Sequence, residues 1–205
     1  DCSTVGPDAT RDVYEGLKAV GAQHLDASML GSVKQANEGT ISFVVGGDAD
    51  AFERTLPALK ACGEMIRHCG ASGAGNHMKL IHQTLVAGHA AAVAEAMALC
   101  LETGADVEAF YEIVTQGTGF AYSRYFENRV PRMRQGDFSP LFFLRFMLKD
   151  ARLARDMAAN PEAYPVLASV IATMEEAEAM GHGDADFSAT MKALEARLGV
   201  AIAKP

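Results

Sequence analysis

The sequence lacks the features that mark several functional classes. It has no run of Lys or Arg, and 18 basic residues face 26 acidic ones, for a net charge of -8. Nucleic-acid binders carry a basic patch, so this balance argues against nucleic acid as a partner. The four cysteines, Cys2, Cys62, Cys69 and Cys100, form no C-x-x-C pair, and no metal site is expected. A chain of 205 residues can bury a core as one large domain or two small ones, without disulfide staples. Free thiols in a reducing cytoplasm are the expectation. No uninterrupted apolar run reads as a membrane span and no signal-peptide pattern opens the chain, so no membrane partner is expected. There is also no initiator methionine. The chain opens Asp1-Cys2-Ser3-Thr4, which reads as the interior of a longer protein.

What the chain does have is ordinary globular composition, 49% hydrophobic and 21% charged, and one concentrated motif. Gly73-Ala74-Gly75-Asn76-His77-Met78-Lys79 is a glycine turn opening a helix, because no proline interrupts residues 76–101 and Ala, Leu and Met dominate there. Lys79 falls in or near the first turn, where the helix dipole opposes a cation and favours proton exchange near neutral pH. His82 and Gln83 follow at i+3 and i+4, so the three polar side chains can share a face. The same pattern also suits a solvated lysine at a frayed helix end.

Around this motif the chain has two characters. Residues 1–70 alternate helix and strand: a helix from Pro7 to Gly21, a strand at 24–27, a strand at 40–45 stopped by Gly46-Gly47-Asp48, a helix at 51–62 with Pro57 as kink or boundary, and a strand at 64–69. This is part of an α/β sheet, with too few strands for a complete doubly wound domain. From residue 76 onward the pattern is helical, with Asp106 as N-cap of a helix at 107–116 and further helices at 142–159, 165–180 and 186–198. Phe120, Tyr122, Tyr125 and Phe126 read as helix core or interface.

Several segments, in order, resemble the β-hydroxyacid dehydrogenases, the 3-hydroxyisobutyrate dehydrogenase family within the 6-phosphogluconate dehydrogenase-like superfamily. Asp1-Cys2-Ser3-Thr4-Val5-Gly6-Pro7 is similar to its D-x-S-T-x-x-P segment, and Asp26-Ala27-Ser28-Met29-Leu30-Gly31-Ser32 to D-A-P-V-S-G-G. Glu38-Gly39-Thr40 and Val45-Gly46-Gly47-Asp48 resemble A-G-T-L-x-x-M-V-G-G-D. Residues 75–83 lie over G-x-x-x-K-x-x-N-N, Glu95-Ala96 over an E-A pair, Lys149-Asp150 over a K-D pair, and 183–188 over G-x-x-D-x-S.

The resemblance implies an oxidoreductase using NAD or NADP on a small hydroxyacid or its carbonyl partner. It implies α/β plus all-α architecture: residues 1–72 as the C-terminal part of a Rossmann-type dinucleotide-binding domain, and 73–205 as an all-helical substrate and dimerisation domain with a long central helix. A homodimer or higher homo-oligomer follows from the same family pattern. So do the roles. Lys79 matches the catalytic lysine and Gln83 the catalytic amide. Thr4 and Lys149 match cofactor-binding positions, and Leu30, Gly31 and Ser32 fall on the substrate-binding segment. Thr4 also suits an N-cap and Lys149 a solvated helix lysine.

The family's G-x-G-x-x-G, on which a pyrophosphate sits, has no counterpart here, so this chain alone is expected to bind a dinucleotide poorly. Two departures bear on substrate. Leu30 replaces a serine whose hydroxyl would bond a carboxylate, leaving the backbone N–H groups of Gly31 and Ser32 and the Ser32 hydroxyl. Gln83 is one methylene longer than asparagine, and His82 replaces the asparagine before it. Both favour a substrate less polar than 3-hydroxyisobutyrate. Two other readings stand beside this one: a non-catalytic helical dimerisation remnant without its nucleotide half, and an imine-reductase-like enzyme, which suits Leu30 but not Lys79.

Overall fold

The computed structural model describes residues 1–203, opening with helix α1 (Pro7–Ala19), strand β1 (Leu25–Leu30), helix α2 (Val33–Glu38), strand β2 (Ile41–Gly47), helix α3 (Ala49–Lys60) and strand β3 (Gly63–Gly70). A 30-residue helix, α4 (Ala74–Thr103), follows. Then come α5 (Val107–Gln116), α6 (Arg124–Arg134), α7 (Leu144–Asp156), α8 (Pro165–Ala177) and α9 (Met191–Leu198). The chain divides into two compact units. One comprises Asp1–Gln83 with Arg152–Pro161, and the other Thr84–Ala151 with the chain from Glu162 onward.

In the first unit the sheet order is β1-β2-β3. Central β2 is antiparallel to β1, with Leu25 opposite Gly47 and Leu30 opposite Ser42. It is parallel to β3, with Ile41 opposite Gly63. The Asp1 amino group donates to Leu25 O at 2.8 Å, and its carbonyl accepts the Ala27 N–H at 2.7 Å. That slanted pair is a parallel bridge, so residues 1–4 leave the sheet edge in the direction of β1.

Strand alternation then assigns the faces. Leu25 and Ala27 of β1 join Ile41, Phe43 and Val45 of β2 and Ala51 and Leu59 of α3 in one apolar cluster. Asp26 and Ser28 point the other way, toward the start of α4. Both are buried, so β1 is covered on both faces and its polar residues need partners.

Among the described residues, the second unit is helical apart from one isolated bridge between Phe143 and Asp186. Its core includes Val130, Met133, Leu144, Met147, Leu148, Met174 and Met191, all 0–1% exposed. The Asp106 N-cap is present, accepting from Glu108 N–H at 2.8 Å. The α/β portion followed by a helical portion is the architecture the resemblance implied.

Local boundaries differ where tertiary packing overrode sequence signals. α3 and α6 run through Pro57 and Pro131, each losing one backbone donor; Leu59 beyond Pro57 is held by the apolar cluster. Gly46 and Gly47 belong to β2, because the ladder to β1 continues through them. The short α2 follows Ser32, in a stretch to which the sequence pattern assigns no element. Phe120 and Tyr122 are exposed and precede α6, whereas Tyr125 and Phe126 are buried on it. α8 ends at Ala177 and passes into a π turn, Glu178–His182.

The reading that no segment matches a membrane span also needs correction. By length and composition alone, α4 is long and apolar enough to cross a bilayer. Its buried stripe of Asn76, Leu80, Gln83, Ala87, Ala90, Ala94 and Met97 is also the pattern of a helix packed within a protein.

Candidate active site

The N-terminus of α4 is built by tertiary contacts. Gly73 takes φ +90°, a conformation suited to glycine. The first N–H groups of any helix lack partners within it. Here the buried Asp26 carboxylate supplies two, accepting from Gly73 N–H at 2.9 Å (Oδ1) and from Asn76 N–H at 2.8 Å (Oδ2). A carboxylate is the favoured group at this positive end of the helix. The approach is close. A Cβ on Gly75 would lie 2.6 Å from the Val44 carbonyl oxygen, and nearer still to that of Asp26.

Asn76 continues the network with its side chain. Its Oδ1 accepts from Val5 N–H and from the Ser28 hydroxyl, both at 3.1 Å, and its Nδ2 donates to Thr10 Oγ1 at 3.0 Å. Asn76, Asp26, Ser28 and Thr10 are all at most 2% exposed.

Lys79 and Gln83 lie one and two turns further along α4, on the same face as Asn76. They are 8% and 4% exposed. His82, expected to share that face, is exposed, although its Nδ1 lies 3.3 Å from Gln83 Oε1. The dipole argument also changes. Lys79 is the sixth residue of α4, beyond the first turn where the effect is concentrated, and Asp26 counters the positive end. Lys79 is instead distinguished by its burial.

The remaining candidates of this unit are distributed as follows. Thr4 is half-buried, immediately before Val5. Leu30, half-buried, ends β1, and exposed Gly31 follows with φ +138°. Ser32 opens α2. Both its N–H (3.0 Å) and its hydroxyl (2.8 Å) are directed onto Gln35 Oε1, so contact with a substrate would require exchanging those bonds. The network brings together Thr4, through Val5, the β1 segment ending at Leu30, and the helix bearing Lys79 and Gln83.

Lys149 belongs to the second unit, on α7. Its Nζ pairs with Asp150 Oδ1 at 2.9 Å, the lysine side chain 47% exposed and the aspartate 1%. The start of α7 is fixed by Asp186, which accepts from Leu141 and Phe142 N–H at 3.1 and 3.2 Å.

Sequence reasoning placed Asp26 only within a motif and did not single out Asn76, Ser28 or Thr10. One signal was available: Asp26 and Ser28 sit two apart in a strand, hence on one face, among apolar neighbours. Their partners lie 47 to 50 residues away, beyond any local pattern.

Two family models match the chain in succession, meeting at the turn before α4. Residues 1–70 match the family described as the NAD binding domain of 6-phosphogluconate dehydrogenase. Residues 73–194 match the NAD-binding domain of NADP-dependent 3-hydroxyisobutyrate dehydrogenase. An uncharacterized oxidoreductase of Synechocystis is 42% identical over 160 residues, covering 78% of this chain and 54% of the relative. A probable 3-hydroxyisobutyrate dehydrogenase of Mycobacterium tuberculosis is 34% identical over 202 residues, covering 96% of this chain and 69% of the relative. A crystal structure of 3-hydroxyisobutyrate dehydrogenase from Salmonella typhimurium superposes with a TM-score of 0.84 at 31% identity, covering 93% of this chain and 67% of that one. The chain thus spans between about half and two thirds of the length of these proteins.

Proposed function

Because the chain belongs to the 3-hydroxyisobutyrate dehydrogenase family, we propose that the protein carrying it is an NAD(P)-dependent oxidoreductase acting on a small hydroxyacid. The observation that carries this reading is the pairing of buried Lys79 and buried Gln83 on one face of α4. A proton-transfer group and an amide are there withheld from water at the head of a capped helix.

A dinucleotide fits the first unit on one observation. Asp1 pairs in parallel with β1, and Thr4 follows it ahead of α1; a parallel sheet edge leading into a helix is where α/β sheets receive such ligands. Thr4 is the residue of this unit that would hold it, and for Lys149 the cofactor role rests on the family resemblance alone. A bound nicotinamide cofactor would supply the hydride acceptor or donor for the carbinol carbon of the substrate.

The chain's own residues supply the rest. As the carbinol becomes a carbonyl, its C–H electron pair leaves as hydride and neutral Lys79 takes the hydroxyl proton on Nζ. In the reductive direction Lys79 returns that proton. The Gln83 amide donates to the substrate oxygen and holds it beside Nζ. In this reading Gly31 would offer a backbone N–H to the carboxylate, and the neighbouring Leu30 side chain, apolar where the family has serine, favours a substrate less polar than 3-hydroxyisobutyrate.

The reading includes self-association. Met78, Ile81, Leu85, Ala92 and Leu99 are exposed along α4 at spacings that align them in one apolar stripe, as helix–helix contacts require.

The test uses the full-length protein with NAD or NADP and a panel of short 2- and 3-hydroxyacids. Turnover is expected, and Lys79→Met should lower kcat at least about 100-fold with the circular dichroism spectrum unchanged. No cofactor-dependent turnover across the panel, or a fully active Lys79→Met, would overturn the assignment.

A further inference from the structure

Asn76 occupies a helix position that an apolar residue could fill, yet it is a buried junction of four hydrogen bonds. Its N–H donates to Asp26, Oδ1 accepts from Val5 N–H and the Ser28 hydroxyl, and Nδ2 donates to Thr10. The amide orientation is unambiguous, because Val5 N–H can only donate and must therefore face the oxygen. Both lone pairs of that oxygen are used.

Such a network adds little net stability over well-packed apolar side chains. What it does supply is a single discrete arrangement of the parts it joins. Those parts are the three separate site segments of this unit. Val5 immediately follows Thr4, Ser28 lies two residues before Leu30, and Asn76 lies one turn before Lys79.

We infer that Asn76 is a positioning residue, which holds the Thr4 segment, the β1 terminus and the Lys79 helix in one frame through its bonds to Val5, Ser28, Thr10 and Asp26. It acts on the reaction through Thr4 and Lys79, and this role rests on the dehydrogenase reading above. Near-attack geometry is steep: a misplacement of about 1 Å costs on the order of 100-fold in rate. Loss of one shared anchor should therefore damage cofactor and substrate parameters together, because it loosens both segments.

The experiment takes the full-length protein with Asn76→Ala, Ser28→Ala, Thr10→Val and Thr10→Ser, studied well below the unfolding temperature. Hydrogen exchange read by mass spectrometry should show peptides covering residues 3–8 exchanging at least about tenfold faster in Asn76→Ala, with α5 to α9 unchanged. In kinetics, kcat/KM for both dinucleotide and hydroxyacid should fall by about 10- to 100-fold. Gln83→Leu, in contrast, should affect the hydroxyacid alone. Thr10→Ser, which keeps the acceptor, should restore what Thr10→Val loses.

Wild-type exchange at residues 3–8 in Asn76→Ala would overturn the inference, as would a lower melting temperature with unchanged kinetic parameters. If Asn76→Ala does not fold, Ser28→Ala and Thr10→Val decide by the same two readouts, each removing one bond. If the wild-type protein shows no turnover, the dehydrogenase reading fails by itself. The exchange measurement then still decides whether Asn76 fixes the Thr4 segment.

Discussion

Nε of Arg129 donates a 3.0 Å hydrogen bond to the Asp186 carboxylate, 57 residues away in sequence, and Asp186 is fully buried. The same carboxylate accepts the N–H groups of Leu141, Phe142 and Ser188. One side chain therefore fixes the entry to α7 and the turn before α9.

The two halves of this pair are not equivalent. Arg129→Met leaves Asp186 with three backbone donors and should cost about 3 kcal/mol. Asp186→Ala strands those donors together with a largely buried guanidinium, and should cost about 5 kcal/mol. Urea unfolding of both variants measures the order. Equal losses would show that the backbone bonds contribute nothing.

Glycines of two helices should respond to alanine with opposite signs. At Gly75 the added methyl would meet the Val44 carbonyl oxygen at 2.6 Å, and Gly75→Ala should destabilise by about 3 kcal/mol. Gly16, in the interior of α1, has nothing within 4 Å of such a methyl. Gly16→Ala should stabilise by about 0.5–1 kcal/mol through helix propensity. Thermal unfolding of the two variants checks the contrast.

His24 makes stability depend on pH. It is 9% exposed, and among the described residues neither ring nitrogen has a hydrogen-bond partner. Burial holds its pKa below the ordinary 6.5. The unfolded chain then binds a proton more readily than the folded one, so stability is full above about pH 6.5 and declines as pH falls toward the folded value. One group permits a slope of at most about 1.4 kcal/mol per pH unit. His24→Leu should remove this component, measured as the difference in urea midpoint between pH 7 and pH 5. An unchanged difference would sink the assignment.

The exposed stripe on α4 centres on Leu85, 64% exposed. A protein associating through it has a native mass of at least a dimer, and Leu85→Asp should shift that mass toward the monomer. A wild-type protein that is monomeric at micromolar concentration would contradict the stripe's assigned role.

The sequence by itself determined the division of character and the helical face that Lys79 and Gln83 share. Proline-free, alanine-rich residues after Asn76 specify a long helix, because propensity summed over many turns is decisive. The order of motifs from Asp1 to Ser188 specified the family. Lys79 and Gln83 were legible because helical spacing is a local property. Tertiary structure decided what depends on groups distant in sequence. It capped α4 with Asp26 from β1, turned His82 outward while Lys79 and Gln83 were buried, directed Ser32 onto Gln35, and carried α3 through Pro57. Each outcome follows from satisfying buried polar groups or filling a core, and those demands exist only once the chain has brought its segments together.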